Sequence, residues 1–512
     1  MTVAIRLFRD TYVDSVVQLR GMRTMREVEG VEWASAAMAT PANVETLRAE
    51  GLDPMQVADA GANDFFLVVR ATTDSIAAEA LAAGESAVTS TVRSHSAAAQ
   101  IEARRSLRDA VLAHPESNVA VISVPGDYAA LAAHQALSAD LHVLLFSDNV
   151  PVDKEVALKD HALSRGRLLM GPGAGTAMLG GVGLGFANTV RPGPVGVVAA
   201  AGTGAQEAMA LLDRWGVGVS QVIGVGGRDL SPEVGGRMAR AAVSALRDDP
   251  ATEVILFVSK PPSPEVAATV LATAGDKPLV AALLGLDPQF PAPVGVVLAD
   301  TLESGVTATL GVLGIAAPDT TATIGPTLAE VRSRLAPGRR LIRGLFSGGT
   351  LCYESLVILG RTVGEVHSNT PINQAWGLPA PAESHQCLDL GEEEYTRGRP
   401  HPMIDPEARL EVLSEHAADP QVAVIILDVV LGHGADVDPA KTLAPACESA
   451  MADGGPQVVA YVLGTDQDPQ GYQGQRDRLV QAGCILTETA ARASLVAAAI
   501  VTDDPSVTRM AL

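Results

Sequence analysis

Two stretches of this chain run from a short apolar strand into glycine and threonine and on into a helix, with a glutamate four residues after the threonine. The first is Val195–Ala201 followed by Gly202, Thr203, Gly204, Ala205, Gln206 and Glu207. The second is Leu341–Phe346 followed by Ser347, Gly348, Gly349, Thr350, Leu351, Cys352, Tyr353 and Glu354. A helix that starts after a glycine turn presents unpaired backbone N–H groups and the positive end of its dipole, which together hold an anion. Glycine allows the anion close, and threonine caps the helix or offers its hydroxyl. Gly-Thr turns also serve packing alone in parallel α/β folds. The repetition points to two related lobes facing one anionic substrate, with Gly202, Thr203 and Gly204 on one side and Ser347, Gly348, Gly349 and Thr350 on the other.

The rest of the chain follows the same rhythm. Apolar strands at Val195–Ala201, Val219–Val225, Val254–Ser259 and Leu279–Leu284 alternate with helices, and so do strands at Leu341–Phe346, Val422–Val429, Val458–Leu463 and Cys484–Thr487. Near-continuous apolar strands separated by helices predict parallel sheets covered on both faces, with ligands at the carboxyl ends of the strands. A further unit runs from strand Asn118–Val124 to a loop at Gly171–Thr176, and a small α/β unit precedes it. The expected domains are 1–113, 114–190, 191–338 and 339–512. The stretch 94–113 reads as a connecting helix, and the Gly/Pro-rich stretch 364–406 as an irregular loop of the kind that is either functional or disordered.

Composition narrows the function. The chain is 47% hydrophobic but only 3% aromatic, which leaves little surface for stacking bases. Its formal charge of −22 disfavours nucleic acid and anionic membranes. Four scattered cysteines in 512 residues form no metal-ligand spacing and read as reduced, buried thiols. No signal pattern and no membrane-length apolar run is apparent, so a cytoplasmic location and no metal are expected.

In this acidic background the densest cationic cluster is Arg397, Arg399 and His401, with the last flanked by Pro400 and Pro402. Guanidinium groups grip carboxylate or phosphate through paired hydrogen bonds, and histidine moves protons near neutral pH. Asp405 and Pro406 just beyond it read as a helix cap and first helical residue. Arg228, in Gly226-Gly227-Arg228-Asp229, follows a strand end and is either an anion clamp or a partner of Asp229 or Glu233. Lys260, which also follows a strand, is either a solvated end or part of a site. His401, Arg399 and Arg228 are the candidate catalytic residues.

From Asn118 to Ala499 the order of motifs resembles a succinyl-CoA synthetase α subunit joined to the carboxyl-terminal domain of its β subunit. The matching pieces are Ser123-Val124-Pro125, Met170-Gly171-Pro172, Gly202-Thr203, Gly224–Gly227, Leu388-Asp389-Leu390-Gly391 and strand Val424–Val429. More closely, the whole chain resembles the FdrA family, through Met38–Asn43, Phe146–Val150, Gly226–Ser231, Val258–Pro262 and Gly398–Pro406. The resemblance implies an α/β chain: a small N-terminal α/β domain, a Rossmann-like CoA-ligase-type domain at 114–190, and two flavodoxin-like succinyl-CoA-synthetase-type domains.

It also implies one of two activities. One is acyl-CoA synthetase. The other is a subunit of an oxamate carbamoyltransferase of allantoin breakdown, working with two companion subunits and passing a carbamoyl group between oxalurate and phosphate. Ligases of the first kind use a histidine in a Gly-His-Ala-Gly segment, and this chain has no histidine between His161 and His367. No segment resembles an ATP-grasp domain, and the early strand leads into Arg9–Asp14 without glycine. The expectation is therefore a carbamoyltransferase subunit in an oligomer, with inorganic phosphate or carbamoyl phosphate as substrate. CoA or nucleotide belongs only to the alternative ligase, and a non-catalytic anion-binding scaffold is a third possibility. The family's glycine-proline loop can carry Asp-Cys where this chain has Gly173-Ala174.

Overall fold

A computed structural model describes residues 2–11, 13, 15–49, 51–52, 60–61, 63–98, 104, 106–287, 289–321, 328–396 and 400–512. These divide into two compact units, one of residues 1–105 with 396–400 and the other of 106–395 with 401–512.

The first unit holds a three-stranded antiparallel sheet in which Phe65–Ala71 lies between Thr2–Phe8 and Val31–Met38. The helix Asp74–Ala98 follows the central strand. Phe65, Leu67 and Val69 alternate onto one face of that strand with Met25, Ala77 and Leu81, while Phe66 and Val68 pack on the other with Leu47. Of the connecting helix expected over 94–113, residues up to Ala98 belong to this long helix and Leu107–Ala113 is a separate one; much of the rest lies outside the described residues.

The second unit contains three sheets. The smallest, Val119–Ile122, His142–Leu145 and Leu169–Met170, is parallel. In the seven-stranded sheet, Pro192–Ala200 lies between Val219–Gly224 and Val254–Ser259, followed outward by Leu279–Leu283 and Val296–Ala299, all parallel. The antiparallel hairpin Thr176–Leu179 and Val182–Gly185 closes the edge beside Val219–Gly224. In the six-stranded sheet, Leu341–Phe346 lies between His385–Asp389 and Val422–Val430, followed by Gln457–Leu463 and Ile485–Thr487; the short Val366–His367 edges it, and all pairs are parallel.

Counted from the strand that precedes each Gly-Thr turn, and leaving out the hairpin of the first sheet and the two-residue edge Val366–His367 of the second, both sheets have the order 2-1-3-4-5 of doubly wound flavodoxin-like folds. Each has its switch point beside that first strand, where such folds bind ligands. The expected strands appear within a residue or two, except that Pro192–Ala200 starts three residues earlier. His385–Asp389 emerges from the stretch expected to be irregular.

The two lobes share one core. Ala205, Met209 and Leu212 of helix Gly202–Arg214 belong to the same buried cluster as Leu351 and Leu359 of helix Gly349–Thr362, Ile426, and Val496. Each first-strand helix also serves the opposite lobe. Glu354 Oε1 accepts the amide of Leu302, which opens helix Leu302–Val312 of the first lobe, at 2.6 Å. Glu207 of the first lobe receives the hydroxyl of Tyr461, on strand Gln457–Leu463 of the second, at 2.6 Å. Both glutamates are 1% exposed. All four cysteines are free and buried, and no described helix is long and apolar enough to cross a membrane.

Candidate anion site

The starts of the two repeated helices meet. The amide of Thr350 donates to Thr203 Oγ1 at 3.3 Å. A side chain begun on Gly348 would lie 2.8 Å from Thr203 Cγ2, and one on Gly204 would lie 2.8 Å from Thr350 Cγ2. Each glycine thus makes room for the threonine of the other lobe, and the crosswise pair brings both helix starts onto one cavity of about 300 Å³.

Of the predicted cradle residues, Gly202, Thr203, Ser347, Gly349 and Thr350 line this cavity; Gly204 and Gly348 act behind it as spacers. Gly202 faces open space. The amides of Gly202, Thr203, Gly204 and Gly349 fall in first turns, where no helical acceptor exists for them. Three buried oxygens on the wall, Thr176 Oγ1, Gln206 Oε1 and Thr350 Oγ1, meet no hydrogen-bond partner among the described residues.

One part of the expectation is corrected. The amides of Ser347 and Gly348 are already committed, donating to the two carboxylate oxygens of Asp428 at 2.8 and 2.7 Å, and Ser347 Oγ adds a third bond at 3.0 Å. Asp428 is 1% exposed and pairs with the buried Arg409 at 3.0 Å. The second cradle therefore holds an internal carboxylate, and with the Thr350 amide on Thr203, only the Gly349 amide of this cradle is left.

Arg228 is placed elsewhere. It donates to Val150 O at 2.7 Å and pairs with Glu155 at 2.9 Å. Glu155 and Asp229 hold the fully buried Lys159 at 2.8 and 2.7 Å. Asp229 also caps helix Arg237–Asp248 through the amides of Met238 and Ala239. The Gly226–Ser231 turn is thus an ionic corner, and Arg228 does not line the cavity. Arg397 and Arg399 lie outside the described residues.

His401 does line the cavity. The amide of Met403 donates to its Nδ1 at 3.2 Å, which assigns the ring proton to Nε2. Burial, with Arg409 adding to it and Asp428 opposing, pushes its pKa down to about 4. At neutral pH the ring is therefore an uncharged hydrogen-bond donor rather than a ready acid. Asp405 caps the turn that follows, accepting the amide of Glu407 at 3.1 Å, with Pro406 in the first helical position as expected.

The cation and the acid at the site come from two residues that the sequence reading did not choose as catalytic. Lys260, just past strand Val254–Ser259, lies over the Tyr353 ring at 5.0 Å from its centroid. Asp389 ends strand His385–Asp389, is 3% exposed, and has its backbone clamped by Asn369 through two bonds of 2.9 Å. Burial is the main reason its carboxyl is pushed up to about 6, with Lys260 opposing and Glu392 and Asp428 adding. The position of Lys260 at a strand end was the only sequence signal for it. Asp389 was visible only as part of a resemblance motif.

The CoA-ligase family matches residues 345–500 and the CoA-binding domain family matches 190–281. The latter falls on the first flavodoxin-like lobe, not on 114–190. The N-terminal heavy metal-associated domain of AllF matches residues 1–104. The chain is 39% identical over 508 residues to YahF of Escherichia coli K12, across 97% of this chain and 98% of that protein. The chain belongs to the YahF family.

Within this YahF-family chain, 178 residues are 30% identical to the α subunit of the ADP-forming succinate–CoA ligase of Aquifex aeolicus, covering 33% of this chain and 57% of that subunit. The solved dinucleotide-forming acetyl-coenzyme A synthetase 1 of Ca. Korarchaeum cryptofilum, in complex with phosphate and ADP, aligns over 77% of this chain and 85% of its own. Its identity of 16% and TM-score of 0.31 carry no argument about the site. The chain is acyl-CoA synthetase-like, with succinyl-CoA-ligase-type lobes. Residues 1–104 contain no cysteine, and no group of three potential ligands among the described residues could hold an ion.

Proposed function

We propose that this chain binds one phosphate or phosphoryl group between the starts of helices Gly202–Arg214 and Gly349–Thr362 and uses it in carbamoyl transfer, as a subunit of an oxamate carbamoyltransferase-type complex. The observation that carries this reading is the convergence of both helix starts, with Lys260, on a cavity of about 300 Å³. That volume is at the low end for small-molecule sites and suits a small anion beside a ureido acid. In the reaction a phosphate oxygen attacks the carbamoyl carbon of oxalurate or a related ureido acid, and the carbon–nitrogen bond to oxamate breaks. The N–H groups of the first turns and the Nε2–H of His401 are fixed donors for the charge that develops. No covalent enzyme intermediate is required.

A second reading is a CoA ligase whose nucleotide is bound by a partner chain; the CoA-ligase and CoA-binding family matches favour it. Under that reading CoA would supply the thiol that accepts the acyl group. Supplying the purified chain with oxalurate and phosphate, with and without two co-encoded companion subunits, separates the readings. Carbamoyl phosphate formed only with the companions supports the first, and a CoA thioester formed with ATP supports the second. A His401→Asn variant should fold normally and lose turnover; full activity would remove His401 from the site.

A further inference from the structure

Resting on the reading of the cavity as a phosphoryl site, the surroundings of Asp389 define how the site handles its proton. A side chain begun on Gly349 would lie 2.2 Å from Asp389 Oδ2 and 2.9 Å from Lys260 Nζ, so carboxyl and ammonium both abut the first residue of the second helix. Asp389 Oδ1 is occupied, accepting the amide of Gly391 at 3.0 Å. Oδ2 is left toward the helix start, where the anion would sit. A buried carboxylate and a phosphate dianion cannot share that corner in a low-dielectric site without a proton between them.

We propose that Asp389 is a catalytic acid that meets the bound anion as a neutral carboxylic acid, donating from Oδ2 to a phosphoryl oxygen, and that it relays one proton during turnover. The balance closes without an outside acid. Monohydrogen phosphate loses its proton as its oxygen bonds to the carbamoyl carbon, and the oxamate nitrogen takes the electron pair of the breaking bond together with one proton. Asp389 gives that proton from Oδ2 and recovers the one released by phosphate. The charged and titratable groups around it are Lys260 from the first lobe, Cys352 and Tyr353 on the helix, Glu392 on its own turn, Asp428 on the strand beyond Leu341–Phe346, and His401 across Gly391. Apart from Lys260 they are anionic or neutral, which keeps the proton on Asp389 when a further anion arrives.

Sulfate tests this in the full chain, because it keeps its charge throughout neutral pH and any proton taken up belongs to the protein. Calorimetry at pH 7.5 in buffers of different ionisation enthalpy should show uptake of about one proton per sulfate, with affinity falling roughly tenfold per pH unit above neutrality. Asp389→Asn should still bind sulfate, with neither uptake nor pH dependence. Uptake that survives Asp389→Asn and vanishes in His401→Asn would overturn the proposal in favour of the imidazole. Sulfate binding without uptake in the unmodified chain would overturn it while leaving the anion site standing. If neither sulfate nor phosphate binds, the phosphoryl reading falls, and this proposal with it.

Discussion

Replacing Asp428 by alanine removes the carboxylate that occupies the Ser347–Gly348 cradle and leaves Arg409 buried without its ion partner. The lost contacts are three hydrogen bonds to a charged acceptor and one buried ion pair. Bonds to charged groups contribute about 1.5–3 kcal/mol each, but they share one carboxylate and do not add. The appropriate figure is that for breaking a buried pair from one side, about 3–5 kcal/mol. The loss should appear as a lower urea midpoint, followed by tryptophan fluorescence. Formate can then enter the vacated cradle between the amides and Arg409. If it binds only the folded state, formate at a hundred times its dissociation constant restores about 2.7 kcal/mol. The unmodified chain, with its cradle filled, should gain little. A variant as stable as the parent, or equal stabilisation of both by formate, would refute the assignment of these amides to Asp428.

Two further predictions concern the meeting of the helices. Gly204→Ala places a methyl 2.8 Å from Thr350 Cγ2 and 2.9 Å from Val258 Cγ1, both on stiff β-branched side chains. An overpacking cost of about 1–3 kcal/mol should exceed the helix-propensity gain of at most about 1 kcal/mol. Gly202→Ala, which meets open space, should stay within about 0.5 kcal/mol of the parent; equal denaturation midpoints for the two variants would contradict the crosswise packing. Glu207 is pushed up to about 7, chiefly by burial. Its stabilising contribution is complete below its ordinary value of 4.5 and is lost as pH rises through about 7. Glu207→Gln should therefore gain on the parent by about 3 kcal/mol between pH 4.5 and 8, and parallel pH profiles would exclude this role.

The strands around both Gly-Thr turns were legible because buried parallel strands are unbroken apolar runs, and the turns placed the cavity at the carboxyl edges where the structure has it. The repeat also disclosed its own symmetry. What it could not disclose was which amides were already occupied. Asp428 lies inside an apolar strand 80 residues beyond Gly348, and its capture of the cradle depends on sheet order. Strand His385–Asp389 was hidden because it opens on polar residues and runs for only five, and with it went Asp389. Arg228 looked like an anion clamp because its ionic partner Glu155 comes from a distant helix.

Glu354 finishes a helix that belongs to the other half of the repeat, and Glu207 holds the Tyr461 hydroxyl of the half it does not belong to. A break in the gene between the halves would leave the first fragment with a frayed helix end and each fragment with a buried acid without its ligand from the other half, so neither should persist alone. Such mutual dependence makes the pairing hard to undo: the two lobes differ in what their cradles hold, as Asp428 shows, but they remain obliged to travel together.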